Sequence, residues 1–425
     1  MFEPYQEIVG QPVLDELMRL AEALRGRTLQ HINSTRSGGG VAEILHRLTP
    51  LTEALGIRTQ WDVVTGPAEF FEVTKAFHNT LQGDEQELSQ EDFDTYLDCL
   101  RHNAQRLSPA GDVVMVHDPQ PAYLIEHWRR AKARLVWRCH IDVSRPNERV
   151  WRFLRHAVRY AHAAVFHVPQ FARDLAIPQL IIAPSIDPLS EKNRDLGEAE
   201  ISAVTDRFGI DRSRPLLVQV SRFDHFKDPL GVIAAYRLVR PTFDCQLVLA
   251  GGGAADDPEG EQVLAEVREA ADGDPDIFVL ELPPDSDLEI NALQRAATVI
   301  LQKSTREGFG LTVTEGLWKG KPVIGGAVGG IPAQIIHGVN GFLVHSPEGA
   351  AFRLRFLLTH PHAAERMGTK GREYVRRNFL MTRHLRDYLL LMLTCLYGKG
   401  ASPLFVQAGV LGLTPFAPPA GSGLA

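Results

Sequence analysis

Two basic residues in the second half of the chain are spaced as in an anion-binding loop. Arg222 and Lys227 follow an apolar run that predicts a strand and precede an amphipathic segment that predicts a helix. An arginine can hold a diphosphate by its planar fork, and a lysine can hold it as a point charge. The pair therefore predicts a diphosphate site, with a solvated loop carrying two surface charges as the alternative.

A second string combines two acids with a tight glycine turn. Its residues are Glu307, Gly308, Phe309, Gly310, Leu311, Thr312 and Glu315. A helix is predicted to begin near Leu311 or Thr312, and its first N–H groups would face an incoming phosphate. Both carboxylates could accept hydrogen bonds from sugar hydroxyls, which together predicts a nucleotide-sugar site. Alternatively, Glu315 only caps its own helix.

A glycine run near the amino terminus is the third candidate. Gly38, Gly39 and Gly40 lie between a predicted strand that ends at Asn33 and a helix predicted from about Val41. Glycines let backbone N–H groups approach an anion at a helix N-terminus. The run matches neither the dinucleotide-binding fingerprint nor the P-loop, so a plain tight turn is the alternative.

These motifs require parallel sheets to position them. Apolar runs alternate with amphipathic segments, which predicts the α/β class. Strands are predicted over residues 28–33, 59–64, 112–117, 135–140 and 163–168, and again over 215–220, 245–251, 276–282, 297–302 and 321–326. Three prolines predict an interdomain linker over 178–200. Two doubly wound, Rossmann-like domains are therefore expected to face each other across a cleft that holds the site.

Composition excludes several classes of protein. The 425 residues carry 45 Lys and Arg against 52 Asp and Glu, a formal net charge of −7, with 44% apolar residues. This is a soluble composition without a general field for nucleic acid or an anionic membrane. The amino terminus lacks the pattern of a signal peptide, and no apolar run approaches roughly 20 residues. We expect a cytoplasmic enzyme with no nucleic-acid or membrane partner.

The motifs, in this order, resemble the retaining nucleotide-sugar glycosyltransferases of GT-B fold. More closely, they are similar to trehalose synthases of the glycosyl-transferring type, through the segments HINSTRSGGGVAEIL, FHNTLQG, VHDPQPA, RCHIDVSRPN, PSIDPLSEKN and REGFGLTVTEGLWKGKPVIGG. That family reversibly joins glucose from a nucleoside-diphosphate-glucose to free glucose, which makes trehalose. The resemblance implies an acceptor-side domain over 1–187 and a nucleotide-sugar domain over 188–384. A helix over 385–400, expected to pack back on the first domain, and a Pro/Gly-rich tail over 401–425 would follow.

On the donor side, the resemblance assigns the leaving diphosphate to Arg222 and Lys227. It assigns the ribose to Glu315 and the hydroxyls of the donor sugar to Glu307. The implied donor site is completed by Gly38, Gly39, Gly40, Gly308, Phe309, Gly310, Leu311 and Thr312.

On the acceptor side, the His117 and Asp118 pair matches one that related transferases place beside the reacting sugars. The resemblance puts Asp118 and Asn33 against the acceptor and His140 near O6 of the donor sugar. The implied catalytic residues are Asp118, His140, Arg222, Lys227 and Glu307. Without the resemblance, His140 would be an ordinary strand histidine and Asp118 a turn residue.

Several alternatives stay open. Retention by double displacement would need an acid near the anomeric carbon, and the motifs supply no obvious one, which favours same-face attack. No tightly bound cofactor and no protein metal site is expected, although Mg²⁺ could accompany the nucleotide. The predicted partners are ADP-, UDP- or GDP-glucose, glucose and trehalose, with a homodimer left open. The alternative functions are a trehalose phosphorylase that uses inorganic phosphate, a UDP-sugar epimerase or hydrolase of the same fold, and a non-catalytic sensor.

Overall fold

The structure is a computed structural model that describes residues 1–36, 39–252 and 258–398. It contains two six-stranded sheets, and every pair of neighbouring strands runs parallel. Helices connect the strands, as parallel pairing requires. This confirms the predicted α/β class and its two doubly wound domains.

The amino-terminal sheet has the strand order β2-β1-β3-β4-β5-β6. The elements of this half are α1 (Glu3–Val9), α2 (Gln11–Glu22), β1 (Thr28–Asn33), α3 (Gly39–Ala54), β2 (Arg58–Val63), α4 (Ala68–Leu81), α5 (Gln90–Arg106), β3 (Val113–His117), α6 (Leu124–His127), β4 (Arg134–Arg138), α7 (Glu148–Val158), β5 (Ala163–Phe166) and β6 (Gln179–Ile181). Every residue of β3 is buried, as expected for a strand covered on both faces.

The carboxyl-terminal sheet has the Rossmann order, β12-β11-β10-β7-β8-β9. Its half of the chain contains α8 (Glu198–Arg207), β7 (Leu216–Val220), α9 (Pro229–Val239), β8 (Gln246–Gly251), α10 (Pro258–Ala271), β9 (Ile277–Glu281), α11 (Asp287–Ala296), β10 (Val299–Gln302), α12 (Leu311–Trp318), β11 (Val323–Gly326), β12 (Gly341–Val344), α13 (Pro347–Thr359), α14 (Pro361–Asn378) and α15 (Met381–Tyr397). Short 3₁₀ helices occupy Pro169–Phe171, His225–Lys227 and Ile331–Ala333.

The predicted linker over 178–200 is wrong at its start. Gln179–Ile181 forms β6, which pairs with β5 at the border of the sheet. The carbonyl of Pro178 accepts a hydrogen bond from the N–H of Ala164, so the proline contributes to the ladder without needing a donor of its own. The strand β12 was likewise absent from the predicted set.

The helix α15 connects the two halves. It packs against α2, α3 and β3 of the amino-terminal half. Buried Arg383 on this helix donates to Asp387 at 2.8 Å and to the carbonyls of Ala183 and Pro184 at 2.8 and 2.9 Å. Because α15 runs unbroken from residue 381, the boundary expected after residue 384 falls inside a helix. The expected tail over 401–425 lies outside the described residues.

Candidate active site

The candidate residues lie where the strand order of each sheet reverses. In the amino-terminal sheet the order reverses between β1, which ends at Asn33, and β3, which is followed by Asp118. In the other sheet it reverses between β7 and β10, which are followed by Lys227 and Glu307. Loops leave such a point in opposite directions and open a crevice beyond the strand ends, where open α/β sheets bind ligands.

Lys227 and Glu307 form a direct ion pair. Lys227 Nζ donates to Glu307 Oε2 at 2.7 Å, and the two side chains are 17% and 10% exposed. Ser304 Oγ and Gln302 Nε2 donate to the same oxygen at 3.2 and 3.5 Å. The predicted diphosphate cation and the predicted sugar carboxylate therefore meet at one point, where each neutralises the other.

Arg222 lies in a more open position on the same loop. Its side chain is 60% exposed, and its Nη2 lies 3.2 Å from Asp224 Oδ2. Burial lowers the pKa of His78 on α4, and the charges of Arg222 and Asp224 add a lowering and a raising effect, so this loop lies near the other half. An exposed guanidinium at the mouth of a crevice can meet an incoming anion before the buried lysine does.

The glycine turn before α12 has the geometry that only glycine tolerates. Gly310 has φ 84°, and α12 begins at Leu311, where the sequence predicted its start. A Cβ on Gly308 would lie 2.9 Å from the carbonyl oxygen of His140. The ring of Phe309 is buried and lies 5.8 Å from that of His167. We call residues 307–310 the donor loop. This loop packs directly against the amino-terminal half.

Glu315 is buried between the two halves. Gln294 Nε2 donates to its Oε2 at 3.0 Å, and Lys192 Nζ lies 3.9 Å from its Oε1. Lys192 also pairs with Glu43 of α3 at 3.0 Å. Burial lowers the pKa of Lys192, but Glu315 and Glu43 raise it by more, so the lysine is charged. It joins an acid from each half at the predicted ribose site.

Other contacts bring predicted segments together across the cleft. Arg306 donates to the carbonyls of Gln82 and Gly83 at 3.0 and 3.3 Å. These two residues end the FHNTLQG segment. A Cβ on Gly40 would lie 3.5 Å from Leu311 Cδ1, so the glycine run reaches the start of α12. Gly39 and Gly40 begin α3, whereas Gly38 lies outside the described residues.

Asp118 is held in a strained backbone conformation on the opposite side. Its φ is 63°, its N–H donates to the Arg138 carbonyl at 2.8 Å, and its Oδ1 accepts from the N–H of His140 at 2.6 Å. Burial raises the pKa of Asp118 to about 7, against the opposing effects of that hydrogen bond and of Arg138. Asn33 is buried, and its Oδ1 accepts from the N–H of Thr35 at 2.6 Å.

His140 belongs to a row of four imidazoles. Its Nε2 lies 2.9 Å from His117 Nδ1, and its Nδ1 lies 3.2 Å from His167 Nε2. His117 Nε2 in turn lies 3.0 Å from His31 Nδ1. Both ring nitrogens of His140 are thus occupied, so contact with a donor O6 would require one of these bonds to open. Sequence reasoning missed His31 and His167, although both stand near the end of a predicted strand.

No cluster of three His, Cys, Asp or Glu side chains suited to a metal ion occurs within residues 1–36, 39–252 and 258–398. Over the same residues, no helix is both long and apolar enough to cross a bilayer.

Comparison with known proteins identifies the family. Residues 31–173 match the family model "Trehalose synthase, N-terminal domain", and residues 202–374 match "Glycosyl transferases group 1". The chain is 47% identical over 401 residues to the trehalose synthase of Pyrococcus horikoshii. The aligned part covers 91% of this chain and 94% of that protein. The chain belongs to the trehalose synthase family. It is accordingly a glycosyltransferase of trehalose metabolism, as the resemblance of its motifs implied.

Two more distant proteins are also similar to this member of the trehalose synthase family. It is 32% identical over 395 residues to the trehalose phosphorylase of Pleurotus pulmonarius, over 80% of this chain and 53% of that one. A solved α,α-trehalose-phosphate synthase (UDP-forming) from Burkholderia xenovorans matches with TM-score 0.69 and 15% identity, covering 86% of this chain and 100% of that chain. At that identity the likeness concerns the fold alone, and it confirms the GT-B architecture.

The buried histidines predict a marked loss of stability in mild acid. Burial is the main cause that lowers the pKa values of His31, His117, His140, His167 and His384 from the ordinary 6.5, to about 3 for His31. Below pH 6.5 the unfolded chain therefore binds protons that the folded protein does not, at up to about 1.4 kcal/mol per histidine and pH unit. Asp118 acts in the opposite sense between its ordinary 3.8 and about 7, but it is one group against five.

The unfolding midpoint in urea should consequently be lower at pH 5.5 than at pH 7.5. His167→Gln should reduce the difference between the two midpoints, whereas His102→Gln, at an exposed position, should not. Equal midpoints at the two pH values would show that these imidazoles are not held neutral by the fold.

Proposed function

We propose that this protein is a retaining glucosyltransferase that makes trehalose from a nucleoside-diphosphate-glucose and free glucose, reversibly. The observation that supports this best is the opposition of two switch points. One carries a cation and a carboxylate in contact, Lys227 and Glu307, and the other carries Asp118. A charged leaving group needs a cation, and a neutral sugar acceptor needs a hydrogen-bonding side chain, so the two switch points suit the two substrates.

In the proposed donor complex, the diphosphate separates the ion pair of Lys227 and Glu307. Lys227 and Arg222 then neutralise the phosphates, together with the N–H groups at the start of α12. Glu307 becomes available to hydroxyls of the glucosyl group, and Glu315 to the ribose. Lys227 and Glu307 are already desolvated. The diphosphate can therefore replace Glu307 as the partner of Lys227 with little further loss of hydration by these two side chains.

In the proposed acceptor complex, Asp118 orients glucose beside the anomeric carbon. With its pKa near 7, this carboxyl can accept a hydrogen bond from a sugar hydroxyl when ionised and donate one when protonated. The pH-dependence of turnover should therefore include its ionisation.

The chemical step is a substitution on one face of the sugar. The bond from the anomeric carbon to the diphosphate oxygen breaks, and its electron pair stays on the diphosphate. The acceptor oxygen bonds to the same face, and its proton passes to a diphosphate oxygen. Catalysis then comes from positioning and from stabilising the leaving charge, without a tightly bound cofactor. Mg²⁺ associated with the nucleotide is compatible with this scheme.

The product assay tests the function. We expect α,α-linked trehalose, identified by NMR, when the protein is incubated with glucose and at least one of ADP-, UDP- and GDP-glucose. The phosphorylase alternative is supported by the Pleurotus pulmonarius relative. Formation of glucose 1-phosphate from trehalose and inorganic phosphate, with no disaccharide from any nucleotide sugar, would establish that alternative and refute the proposal.

Removal of either diphosphate cation should lower turnover far more than stability. Lys227→Ala and Arg222→Ala should each reduce kcat by roughly 10² to 10³, the scale for loss of one preorganised group that stabilises charge. The double variant should lose less than the sum of the two effects, because both cations act on one leaving group.

Lys370→Ala is the matched control, since Lys370 is an exposed lysine of the same half, on α14. It should leave kcat unchanged. Wild-type turnover in both Lys227→Ala and Arg222→Ala, with intact circular dichroism, would remove these residues from the mechanism.

A further inference from the structure

Four histidines from four strands form one continuous row. His31 lies on β1, His117 ends β3, His140 follows β4, and His167 follows β5. Successive rings are joined by nitrogen to nitrogen distances of 3.0, 2.9 and 3.2 Å. Counted from His31, each ring contributes Nδ1 to the contact with the next ring, which contributes Nε2. The geometry therefore repeats from ring to ring.

The surroundings of the row disfavour positive charge on it. His31, His117 and His167 are at most 4% exposed. The guanidinium of Arg138, which is fully buried on β4, donates to the carbonyls of Phe166 and Ile182 at 3.2 and 2.6 Å. The other titratable groups around the row and Arg138 are Asp118, Cys139, Arg383, His384 and Tyr388.

Neutral rings give the row a single hydrogen-bond direction. A neutral imidazole has one N–H donor and one bare acceptor nitrogen. If one ring donates through Nδ1, its Nε2 must accept, and the next ring must donate through Nδ1 as well. Only two arrangements are then possible, with all four protons on Nδ1 or all four on Nε2.

The two ends of the row differ between these arrangements. His31 Nε2 and His167 Nδ1 are both buried without a hydrogen-bond partner among the described residues. With every proton on Nδ1 the N–H without a partner is that of His167, and with every proton on Nε2 it is that of His31. In both arrangements the four rings share one tautomer and one hydrogen-bond direction.

We propose that His31, His117, His140 and His167 form a directional chain of neutral rings that share one tautomer and that ends at the donor loop, and that His31 and His167 are positioning residues for the transfer reaction. The inference rests on the proposed function and extends it to two residues that the predicted site did not contain.

The chain can act on the reaction through His140. The backbone N–H of His140 donates to the carboxylate of Asp118 at 2.6 Å, and the backbone carbonyl of His140 limits the approach of Gly308. A shift of the His140 backbone, which the ring contacts on both sides oppose, would therefore move the acceptor carboxyl and the donor loop together. A displacement of about 1 Å in such groups can cost roughly 10² in rate.

The tautomers can be read directly in the full chain. In protein labelled with ¹⁵N histidine, two-bond ¹H–¹⁵N correlation spectra distinguish Nδ1–H, Nε2–H and imidazolium forms. We expect the four rings to share one neutral tautomer at pH 7.5, assigned by the loss of one signal set in each of His31→Asn, His117→Gln, His140→Gln and His167→Gln. A mixture of Nδ1–H and Nε2–H forms, or an imidazolium in the row, would overturn the proposed chain.

Matched substitutions test the positioning role. Asn can replace the Nδ1 of His31 by an amide nitrogen, and Gln can replace the Nε2 of His167 by an amide oxygen, whereas Leu supplies neither. His31→Leu and His167→Leu should lower kcat roughly 10- to 10²-fold with KM for the nucleotide sugar nearly unchanged. His31→Asn and His167→Gln should recover most of the loss, and His102→Leu, on the exposed face of α5, should lose nothing.

Equal kcat in the Leu and amide variants would refute the positioning role, whether both are active or both are impaired. If the Leu variants do not fold, the amide variants decide the question alone. Their kcat and KM must then approach the wild-type values, and the proposal is wrong if they do not. The spectra require no substrate, so a protein that makes no trehalose but shows four rings in one common tautomer would refute the proposed function and leave the chain intact.

Discussion

The carbonyl of His140 leaves no space for a side chain on Gly308, and the architecture of the cleft depends on this close approach. A Cβ there would lie 2.9 Å from the oxygen, closer than real contacts allow. Glycine lets the donor loop reach the strand ends of the opposite sheet. Phe309 then packs on His167 of that sheet. Each sheet alone supplies one crevice, so a site that surrounds two sugars needs both.

Charge is divided between the halves in a way that suits the proposed chemistry. The carboxyl-terminal switch point holds a desolvated ion pair, and the amino-terminal one holds imidazoles that burial keeps neutral. In the proposed reaction the first would stabilise an anionic leaving group, while the second would contact an uncharged sugar without adding competing charge. Lys192 spans the boundary and pairs with Glu43 and Glu315, one acid from each half. The boundary between the halves and the proposed ribose site are therefore electrostatically connected.

The sequence was sufficient for features that are local or periodic. The bounds of β1 and the start of α12 follow from an apolar run and from a glycine turn, and the structure agrees with them. The strand β6 was missed because it is three residues long and follows a proline, where local signals favour a break. The histidine row could not be predicted, since its members come from four strands and only the sheet order β1-β3-β4-β5 makes them neighbours. The pairing of Lys227 with Glu307 is likewise a consequence of the sheet order, because β7 and β10 are adjacent.

The central claim is that a nucleoside diphosphate binds at the switch point of the carboxyl-terminal sheet while glucose binds at that of the other. A crystal structure of the protein with a nucleoside diphosphate and glucose tests this most directly. We expect diphosphate oxygens within about 3.2 Å of Lys227 Nζ and the Arg222 guanidinium. We also expect the ion pair with Glu307 to be opened, the ribose to lie against Glu315 and a glucose hydroxyl to lie against Asp118. A diphosphate bound elsewhere, with Lys227 still paired to Glu307, would contradict the account.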